Sequence, residues 1–382
     1  MSESNEDRAR RVHAELKGKT EVTLKQPIES RADLADVYTP GVGVVSSDIG
    51  KDLNKVWEYT GRGNMVAVIS DGTAILGLGD LGPEAALPVM EGKCALFKRF
   101  ANINAVPIVL NADSVDRIVE TVKAIAPSFG AINLEDISAP RCFEVEERLK
   151  AELSIPVMHD DQHGTAIVAL AGLINAAKVV GKDVTDLQVV VNGVGAAGVA
   201  IMRLLAQKGI RRIYAVDSRG LVSEDRTDLN PEKKRLLDEG VVRGELSGTL
   251  RDALKGADVF IGVSKAGVLT PDLVAIMNEK PIIFALANPV PEIMPDLALK
   301  AGAAVVATGR SDFPNQINNV LAYPGVFRGA LDARLPQITD TMKIAAAEAL
   351  AALVDKPHAE MIMPDVFDPR VVPAVADAVK AV

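Results

Sequence analysis

Short, nearly uninterrupted apolar runs alternate with longer stretches of helical spacing along most of the 382 residues. Apolar runs bounded by polar residues predict strands that are buried on both faces, as in parallel sheets. Helical spacing lies between them, for example at 114–126, 139–153 and 165–180, and the tail from Pro336 is predicted to be mainly helical. The pattern predicts an α/β protein built from βαβ units, with strands at 65–69, 105–110, 131–134, 155–158, 188–191, 212–216, 258–263, 282–287 and 304–307.

The composition is that of a globular protein large enough for about two domains, with 48% hydrophobic and 24% charged residues. The net charge of -9 predicts that neither nucleic acid nor an anionic membrane is a partner, because both are negatively charged. Two cysteines, Cys94 and Cys142, are too few for a disulfide framework and favour a reducing compartment. The polar N-terminus has no signal-like apolar stretch, so we expect a cytoplasmic protein.

Two acidic doublets follow predicted strands, Glu135-Asp136 after 131–134 and Asp160-Asp161 after 155–158. Carboxylate oxygens are the ligands that Mg²⁺ or Mn²⁺ prefers, and open α/β sheets place ligands at the carboxyl ends of their strands. The doublets therefore predict a divalent-metal site, although acidic residues also begin helices and turns without any further role. His159 and His163 have the i, i+4 spacing of a zinc site, but His159 ends a predicted strand, so the two rings need not share a helical face.

The motif G-x-G-x-x-G occurs twice, at 77–82 and at 193–198. The second copy follows a predicted strand, begins a predicted helix at Ala196 and is followed by a strand that ends in Asp217, 24 residues after Gly193 along the sequence. This context predicts a dinucleotide site: Gly193 allows the tight turn, Gly195 admits the pyrophosphate and Gly198 lets helix and strand pack closely. The first copy lacks that context and is interpreted as a substrate-domain loop.

These features divide the chain into two domains. We predict a smaller α/β N-terminal domain for substrate and metal at 1–160, and a Rossmann-like domain with a doubly wound parallel sheet and a helical C-terminal tail at 161–382. A dinucleotide site beside a divalent-metal site suggests oxidation of an alcohol next to a carboxylate, with the metal polarising the resulting keto acid.

Seven motifs in this order closely resemble the malic enzymes, particularly the short bacterial type, most strongly over about residues 30–330. They are Val37-Tyr-Thr-Pro-Gly-Val-Gly43, Asp71-Gly-Thr-Ala-Ile-Leu-Gly-Leu-Gly-Asp-Leu-Gly82, Glu91-Gly-Lys93, Leu134-Glu-Asp136, Asp160-Asp-Gln-His-Gly-Thr165, Ala287-Asn-Pro289 and Asn315-Gln-Ile-Asn-Asn319. The resemblance implies oxidative decarboxylation of (S)-malate to pyruvate and CO₂, with reduction of NAD(P) and dependence on Mg²⁺ or Mn²⁺.

The resemblance also implies roles for single residues. Lys93 is the general base for the 2-hydroxyl, Tyr38 is the general acid that protonates the enolate, and Asp160 supports the charges near Lys93. A lysine near a metal can have its pKa lowered toward neutrality, as a general base requires. The implied metal ligands are Glu135, Asp136 and Asp161, and the residues near substrate and nicotinamide are Asn288, Asn318 and Asn319.

One position departs from the pattern of the larger malic enzymes, which carry a substrate-clamping Arg where this chain has Ala74. The clamp could come from Arg62, from Arg310 or from backbone amides. Three other activities of the scaffold stay open: an oxaloacetate decarboxylase, a malolactic enzyme that releases lactate, and a catalytically silent dinucleotide sensor.

Cofactor choice depends on two opposing signals. Asp217 would bond the ribose hydroxyls of NAD and repel the 2′-phosphate of NADP, whereas Arg219, helped by Lys233 and Lys234, could bind that phosphate. We predict that NAD is preferred and that NADP is also used. The family resemblance also favours a homodimer.

Overall fold

A computed structural model describes residues 3–382 as an α/β protein with two sheets. The first sheet is entirely parallel, in the order β2-β1-β3-β4, with β1 at Met65–Ser70, β2 at Asn104–Val109, β3 at Ala131–Leu134 and β4 at Val157–His159. All four strands were predicted as apolar runs, and the α/β fold class is confirmed.

The second sheet has the order β10-β9-β8-β5-β6-β7, parallel except for the antiparallel pair β6–β7. Its strands are β5 (Gln188–Asn192), β6 (Arg212–Asp217), β7 (Gly220–Leu221), β8 (Val259–Gly262), β9 (Ile282–Ala285) and β10 (Val305–Thr308). This is the doubly wound Rossmann order, in which the strand order reverses between β5 and β8. The sequence did not predict β7, because two residues are too short to give a hydrophobic period.

Helices cover both sheets. Those before and within the first sheet are α1 (Asn5–Leu16), α2 (Arg31–Val37), α3 (Gly41–Lys51), α4 (Val56–Tyr59), α5 (Pro83–Ala101), α6 (Val115–Ile125) and α7 (Arg141–Glu152). The remainder are α8 (Asp160–Val180), α9 (Ala196–Gln207), α10 (Pro231–Asp238), α11 (Leu250–Leu254), α12 (Pro271–Val274), α13 (Pro295–Lys300), α14 (Tyr323–Asp332), α15 (Asp340–Ala352) and α16 (Val371–Lys380). Five short 3-10 turns connect some of them.

Helix α8 joins the two sheets and begins at Asp160, five residues earlier than the helical spacing predicted. It is apolar on nearly all sides. Among residues 3–382 it is the one helix that is long and apolar enough to cross a membrane, but 72% of its most apolar 18-residue segment is buried inside the protein. A helix of this kind is typical of a protein core. The main core contains Val66 and Phe97 from the first domain, Ala169 from α8, and Val189 and Phe327 from beyond it.

The N-terminal helices are packed very differently. Helices α1 to α4 contain no buried residue. Several of their large apolar side chains, and others in the segments between them, are exposed: Val22, Leu24, Leu34, Val37, Val44 and Leu53. The folded body of the protein thus leaves an apolar N-terminal surface uncovered.

Candidate active site

Lys93 lies at the centre of a buried charge cluster. It lies on the same face of α5 as Met90, Cys94 and Phe97, so the helical period carries it into the core, where its side chain is 8% exposed. Its Nζ is 2.5 Å from Asp160 Oδ2 and 2.8 Å from Glu135 Oε1. Both carboxylates follow neighbouring parallel strands, since Leu134 at the end of β3 pairs with His159 at the end of β4.

The cluster changes the proton affinity of its members. Burial lowers the pKa of Lys93, but the carboxylates of Asp160 and Glu135 raise it more, so this pKa lies well above its ordinary value. Burial raises the pKa of Asp160 to about 7, with Lys93 opposing the shift. The protein groups alone therefore do not lower the pKa of Lys93, because two carboxylates face one ammonium; a lowered pKa beside a metal stays a prediction.

The three predicted metal ligands are neighbours. Asp161 Oδ2 accepts a hydrogen bond from the backbone N–H of Asp136 at 2.8 Å, and Asp136 has a left-handed φ of 53°, which Asp tolerates better than most residues. Glu135 Oε2 accepts from Asn133 Nδ2 at 3.0 Å. Within residues 3–382, however, no three acidic, His or Cys side chains already converge around one point at ligand distance.

The chemistry of this group nevertheless fits a divalent cation. Asp136 Oδ2 is buried and, within the described part of the chain, has no hydrogen-bond partner. Burial, together with the charges of Asp161 and Glu135, raises the pKa of Asp136 to about 8, and burial also raises the pKa of Glu135. Crowded, desolvated carboxylates repel one another, and a hard cation would relieve that repulsion. Asp161 would have to turn from the Asp136 N–H to join a ligand set.

The two histidines of the β4–α8 junction have different surroundings. His159 is fully buried at the end of β4, and neither of its ring nitrogens has a hydrogen-bond partner among the described residues, although Nδ1 lies 3.7 Å from Asp161 Oδ2. His163 lies one turn into α8 and contacts Glu146 and Lys343. Gly164 is required beside them, because a Cβ there would lie 1.9 Å from Asp160 Oδ1. The sequence analysis did not identify this glycine.

Tyr38 is not part of the buried cluster. It caps the C-terminus of α2, its side chain is 65% exposed, and among residues 3–382 no hydrogen bond from its hydroxyl is present. A different tyrosine lies beside Lys93: the ring of the fully buried Tyr323 is 4.2 Å from Lys93 Nζ, a distance typical of a cation–π contact. Sequence reasoning missed Tyr323, because a lone aromatic residue gives no periodic signal of its role.

The second glycine loop has the geometry expected of a dinucleotide site. Gly193 has φ of 121°, and a Cβ there would lie 2.6 Å from the carbonyl oxygen of Val263 on the adjacent strand connection. A Cβ on Gly198 would lie 1.8 Å from the carbonyl oxygen of Gly193. Gly195 precedes α9, which begins at Ala196, so the N–H groups of that helix terminus face the loop. This arrangement can hold a pyrophosphate.

Asp217, at the end of β6, is already surrounded by cations. Its Oδ1 accepts from Arg226 Nη1 at 2.9 Å and from the backbone N–H of Arg219 at 2.8 Å, and its Oδ2 is 2.5 Å from Lys233 Nζ. The guanidinium of Arg219 turns away to Asp228 and is 71% exposed. Arg226 bonds both Asp217 and Asp228 and was not predicted, since it lies outside the glycine-loop motif.

The three predicted asparagines lie on connections after β9 and β10. Asn288 is exposed. Its carbonyl oxygen lies 3.0 Å from the position that a Cβ on Gly77 would occupy, so the first glycine loop contacts a connection of the second sheet. Asn318 caps a 3-10 turn by accepting from the N–H of Val320 at 3.0 Å. The Cβ of Asn319 lies 3.1 Å from the position that a Cβ on Gly164 would occupy, close to Asp160.

The guanidinium groups considered as a substrate clamp are already engaged. Arg62 precedes β1, at the opposite end of the sheet from the acidic doublets, and donates to the carbonyl oxygen of Phe129 at 3.0 Å. Arg310 forms a two-point pair with Asp312 at 2.8 and 2.6 Å. Arg141 was not considered as a clamp. It pairs with Asp71 at the base of the first glycine loop, and its buried Nε has no hydrogen-bond partner among residues 3–382.

Comparison with known proteins matches both halves of the chain. Residues 17–150 match the family described as malic enzyme, N-terminal domain, and residues 162–381 match malic enzyme, NAD binding domain. The chain is 55% identical to a bifunctional malic/malolactic enzyme of Bacillus subtilis, over 98% of this chain and 92% of that protein. It is 48% identical to an NADP-dependent malic enzyme of Rhizobium meliloti, over 95% of this chain but only 50% of that longer relative. A crystal structure of an NAD-dependent malic enzyme from Thermotoga maritima superposes with a TM-score of 0.94 at 49% identity, covering 97% and 98% of the two chains.

Proposed function

Because this chain belongs to the malic enzyme family, we propose that it oxidises (S)-malate with NAD or NADP and decarboxylates the product to pyruvate and CO₂, with Mg²⁺ or Mn²⁺ as the metal. The observation that carries the proposal is the buried Lys93–Asp160–Glu135 cluster, which lies beside further carboxylates suited to a divalent cation. A sensor of dinucleotides would have no use for such a cluster.

The residues of the cluster supply the acid–base chemistry. Glu135, Asp136 and Asp161 would hold the cation, and Glu135 would then share its charge, so that the pKa of Lys93 would fall from its raised value. Lys93 could then give its excess proton to Asp160 Oδ2, 2.5 Å away. In its neutral form Lys93 would take the proton of the 2-hydroxyl.

A bound dinucleotide would supply a hydride acceptor, and a bound divalent cation would supply the electron withdrawal that decarboxylation of a keto acid needs. The chain contributes orientation to both steps. The loop from Gly193 to Gly198 positions the pyrophosphate, and Asn288, Asn318 and Asn319 line the approach to the substrate. Tyr38 would give the final proton to the enolate carbon.

The test is an assay of malate with Mn²⁺ and either cofactor, following the absorbance of reduced nicotinamide and identifying the acid formed. We expect pyruvate together with one reduced cofactor per malate, and loss of both after exhaustive chelation. Malate oxidation that survives chelation would contradict the metal site. Release of CO₂ from oxaloacetate with no oxidation of malate would instead identify a decarboxylase.

A second activity has a specific observation in its favour. The relative from Bacillus subtilis is named as both a malic and a malolactic enzyme, and 92% of its length is matched by this chain. In the malolactic reaction the acid product is lactate and no reduced cofactor accumulates. The same assay therefore separates the two activities by the acid and by the cofactor balance.

We also propose a homodimer in which the N-terminal surface of α1 to α4 is covered by a second copy. The proposal is supported by the absence of any buried residue in these four helices and by the exposure of Tyr38, a residue with an assigned catalytic role. Exposed apolar surface of this extent is typical of an interaction site. A cytoplasmic location stays a prediction.

Mixing two inactive variants tests the dimer. If Tyr38 acts in the site of the partner, a dimer of Lys93→Ala with Tyr38→Phe contains one complete site, and random mixing restores about a quarter of the wild-type activity. We expect this recovery, together with a dimeric mass by analytical ultracentrifugation. A monomeric mass would contradict the homodimer, and a dimer without recovery would place Tyr38 in its own protomer's site.

A further inference from the structure

A buried chain of three ionisable side chains lies outside the Lys93 cluster. Glu146 of α7 accepts through Oε2 from Nε2 of His163 at 2.8 Å, and Nδ1 of His163 is 3.0 Å from Nζ of Lys343 on α15. Lys343 also contacts Asp340 Oδ1 at 2.8 Å. The exposed fractions of Glu146 and Lys343 are only 6% and 2%. Burying charges is costly, so a network of this kind needs an explanation.

The ammonium group of Lys343 determines which ring nitrogen of His163 carries the proton. An ammonium group can only donate, so Nδ1 of His163 must accept and Nε2 must carry the proton that is donated to Glu146. The order of donors and acceptors along Lys343, His163 and Glu146 therefore has one direction only.

The other oxygen of Glu146 reaches the catalytic region. Oε1 accepts from the backbone N–H of His159 at 3.0 Å, and His159 directly precedes Asp160 and Asp161 at the junction of β4 and α8. The chain of hydrogen bonds thus connects the C-terminal helix α15 to the backbone that carries the Lys93 partner and one metal ligand.

We propose that Glu146, His163 and Lys343 are positioning residues that hold the β4–α8 junction in the orientation needed for Asp161 to join Glu135 and Asp136 around a divalent cation. The inference rests on the proposed function, because that function supplies the cation. Partners of this kind, which orient ligands without touching the metal, typically change metal affinity by about 10- to 100-fold when they are removed.

The variant Glu146→Gln tests the chain with almost no change in volume. Its amide oxygen can still accept from the His159 N–H, but its NH₂ group then faces the Nε2–H of His163, and two donors repel. The affinity for Mn²⁺ in the absence of substrate should fall about 10-fold, as measured from the electron paramagnetic resonance signal of the free ion. His163→Leu, which removes both bonds of the ring, should weaken it by a similar factor.

The double variant Glu146→Gln/Lys343→Met provides the rescue. Without the ammonium, the imidazole proton can move to Nδ1, beside Asp340, and Nε2 can then accept from the introduced amide. We expect Mn²⁺ affinity to return to within about threefold of wild type. A merely structural loss would instead accumulate over the two substitutions.

Glu232→Gln is the matched control, because Glu232 lines the same cavity as Glu146 but pairs with Arg203 at 2.9 Å and makes no described contact with α8. It should leave Mn²⁺ affinity unchanged. Wild-type affinity in Glu146→Gln and in His163→Leu, an equal loss in the control, or a double variant weaker than the single one would overturn the inference. A wild-type protein that binds no Mn²⁺ would remove the metal site itself, and the inference with it.

Discussion

Two lysine–aspartate pairs have the same contact distance and opposite effects on the aspartate. Lys93 lies 2.5 Å from Asp160, and Lys233 lies 2.5 Å from Asp217. Burial raises the pKa of Asp160 to about 7. Burial also acts to raise the pKa of Asp217, but hydrogen bonds from Arg226, Lys233 and the Arg219 N–H lower it more.

The difference lies in what surrounds each pair. Asp160 is completely buried and shares its one cation with a second carboxylate, Glu135, whereas Asp217 receives two cations and a backbone donor. A short ion pair therefore does not determine the protonation of its members; the number of charges and the degree of desolvation do. The first pair is suited to moving protons and the second to presenting a fixed charge.

Removing the lysine of each pair should give the clearest contrast. We expect Lys93→Ala to lower kcat for malate oxidation by about 10² to 10⁴, because the proposed general base is lost. Lys233→Ala is the control from the other pair and should change KM for the dinucleotide with little effect on kcat. Steady-state kinetics with varied malate and varied cofactor measures both. Wild-type turnover in Lys93→Ala would remove Lys93 from the mechanism.

Two tyrosines should also differ in the effect of losing the hydroxyl group: Tyr38, the proposed general acid, and Tyr323, whose ring lies beside Lys93. Tyr38→Phe should lower enolate protonation by about 10² to 10⁴, measured with oxaloacetate as substrate, because the acidic hydroxyl is lost. Tyr323→Phe should keep nearly full activity, since the ring over Lys93 stays and the buried hydroxyl has no described partner. If Tyr323→Phe is the inactive variant and Tyr38→Phe is not, the roles must be exchanged.

Acid should remove the stability contributed by neutral His163 before it affects Asp217. Burial lowers the pKa of His163 from 6.5 to about 4, so between these values the unfolded state binds the proton and the folded state does not. The contribution of His163 to the free energy of unfolding should therefore fall by about 2 kcal/mol from pH 7 to pH 5, whereas the raised pKa values of Asp160 and Asp136 make those carboxyls contribute in the opposite direction over the same range. The lowered pKa of Asp217 contributes stability that is lost only at lower pH, as the pH falls below its ordinary value.

Urea unfolding at pH 7 and pH 5 measures this difference. Between pH 7 and pH 5 the free energy of unfolding should change in His163→Gln by about 2 kcal/mol in favour of the folded state relative to the change in wild type, and Asp217→Asn should give the wild-type change. An unchanged slope in His163→Gln would mean that the ring is already charged in the folded protein.

The smallest expected effect concerns cofactor choice at the second pair. Asp217→Asn should reduce the ratio of kcat/KM for NAD to that for NADP by about 10-fold, because the charge that accepts from the ribose and repels the 2′-phosphate is removed. Asp225→Asn, an exposed carboxylate nearby that bonds Ser223 and Ser247, should leave the ratio as in wild type. A ratio unmoved by Asp217→Asn would show that this carboxylate, already bonded to Arg226 and Lys233, does not read the ribose.

Features formed by residues close together in sequence could be predicted, and contacts between residues far apart in sequence could not. All nine predicted strands are present, because a strand buried on both faces leaves a continuous apolar run. The glycine loop at 193–198 was recognised because strand, turn, helix and acid are adjacent in sequence. In contrast, the contacts of Lys93 with Asp160, and of Lys343 with His163, join residues 67 and 180 positions apart. No local pattern predicts them.

The misplaced start of α8 has a similar cause. Asp160 and Asp161 were assigned to a strand exit, and the helical period was counted from Thr165, where the apolar spacing begins. The helix in fact starts at the first carboxylate, where acidic residues are favourable near the helix N-terminus. Arg226 and the exposed N-terminal helices were missed because their roles depend on partners that are distant or lie outside one chain.

Helix α8 has a consequence for how the protein can be made and divided. During synthesis its apolar surface emerges before α15, which packs against it, has been translated, since α15 begins only at Asp340. A fragment that ended at the close of α8 would expose this apolar helix to solvent, and a fragment that began after it would lose the helix from its core. The two domains are therefore expected to unfold in a single transition and to resist separation by proteolysis or by truncation near residue 160.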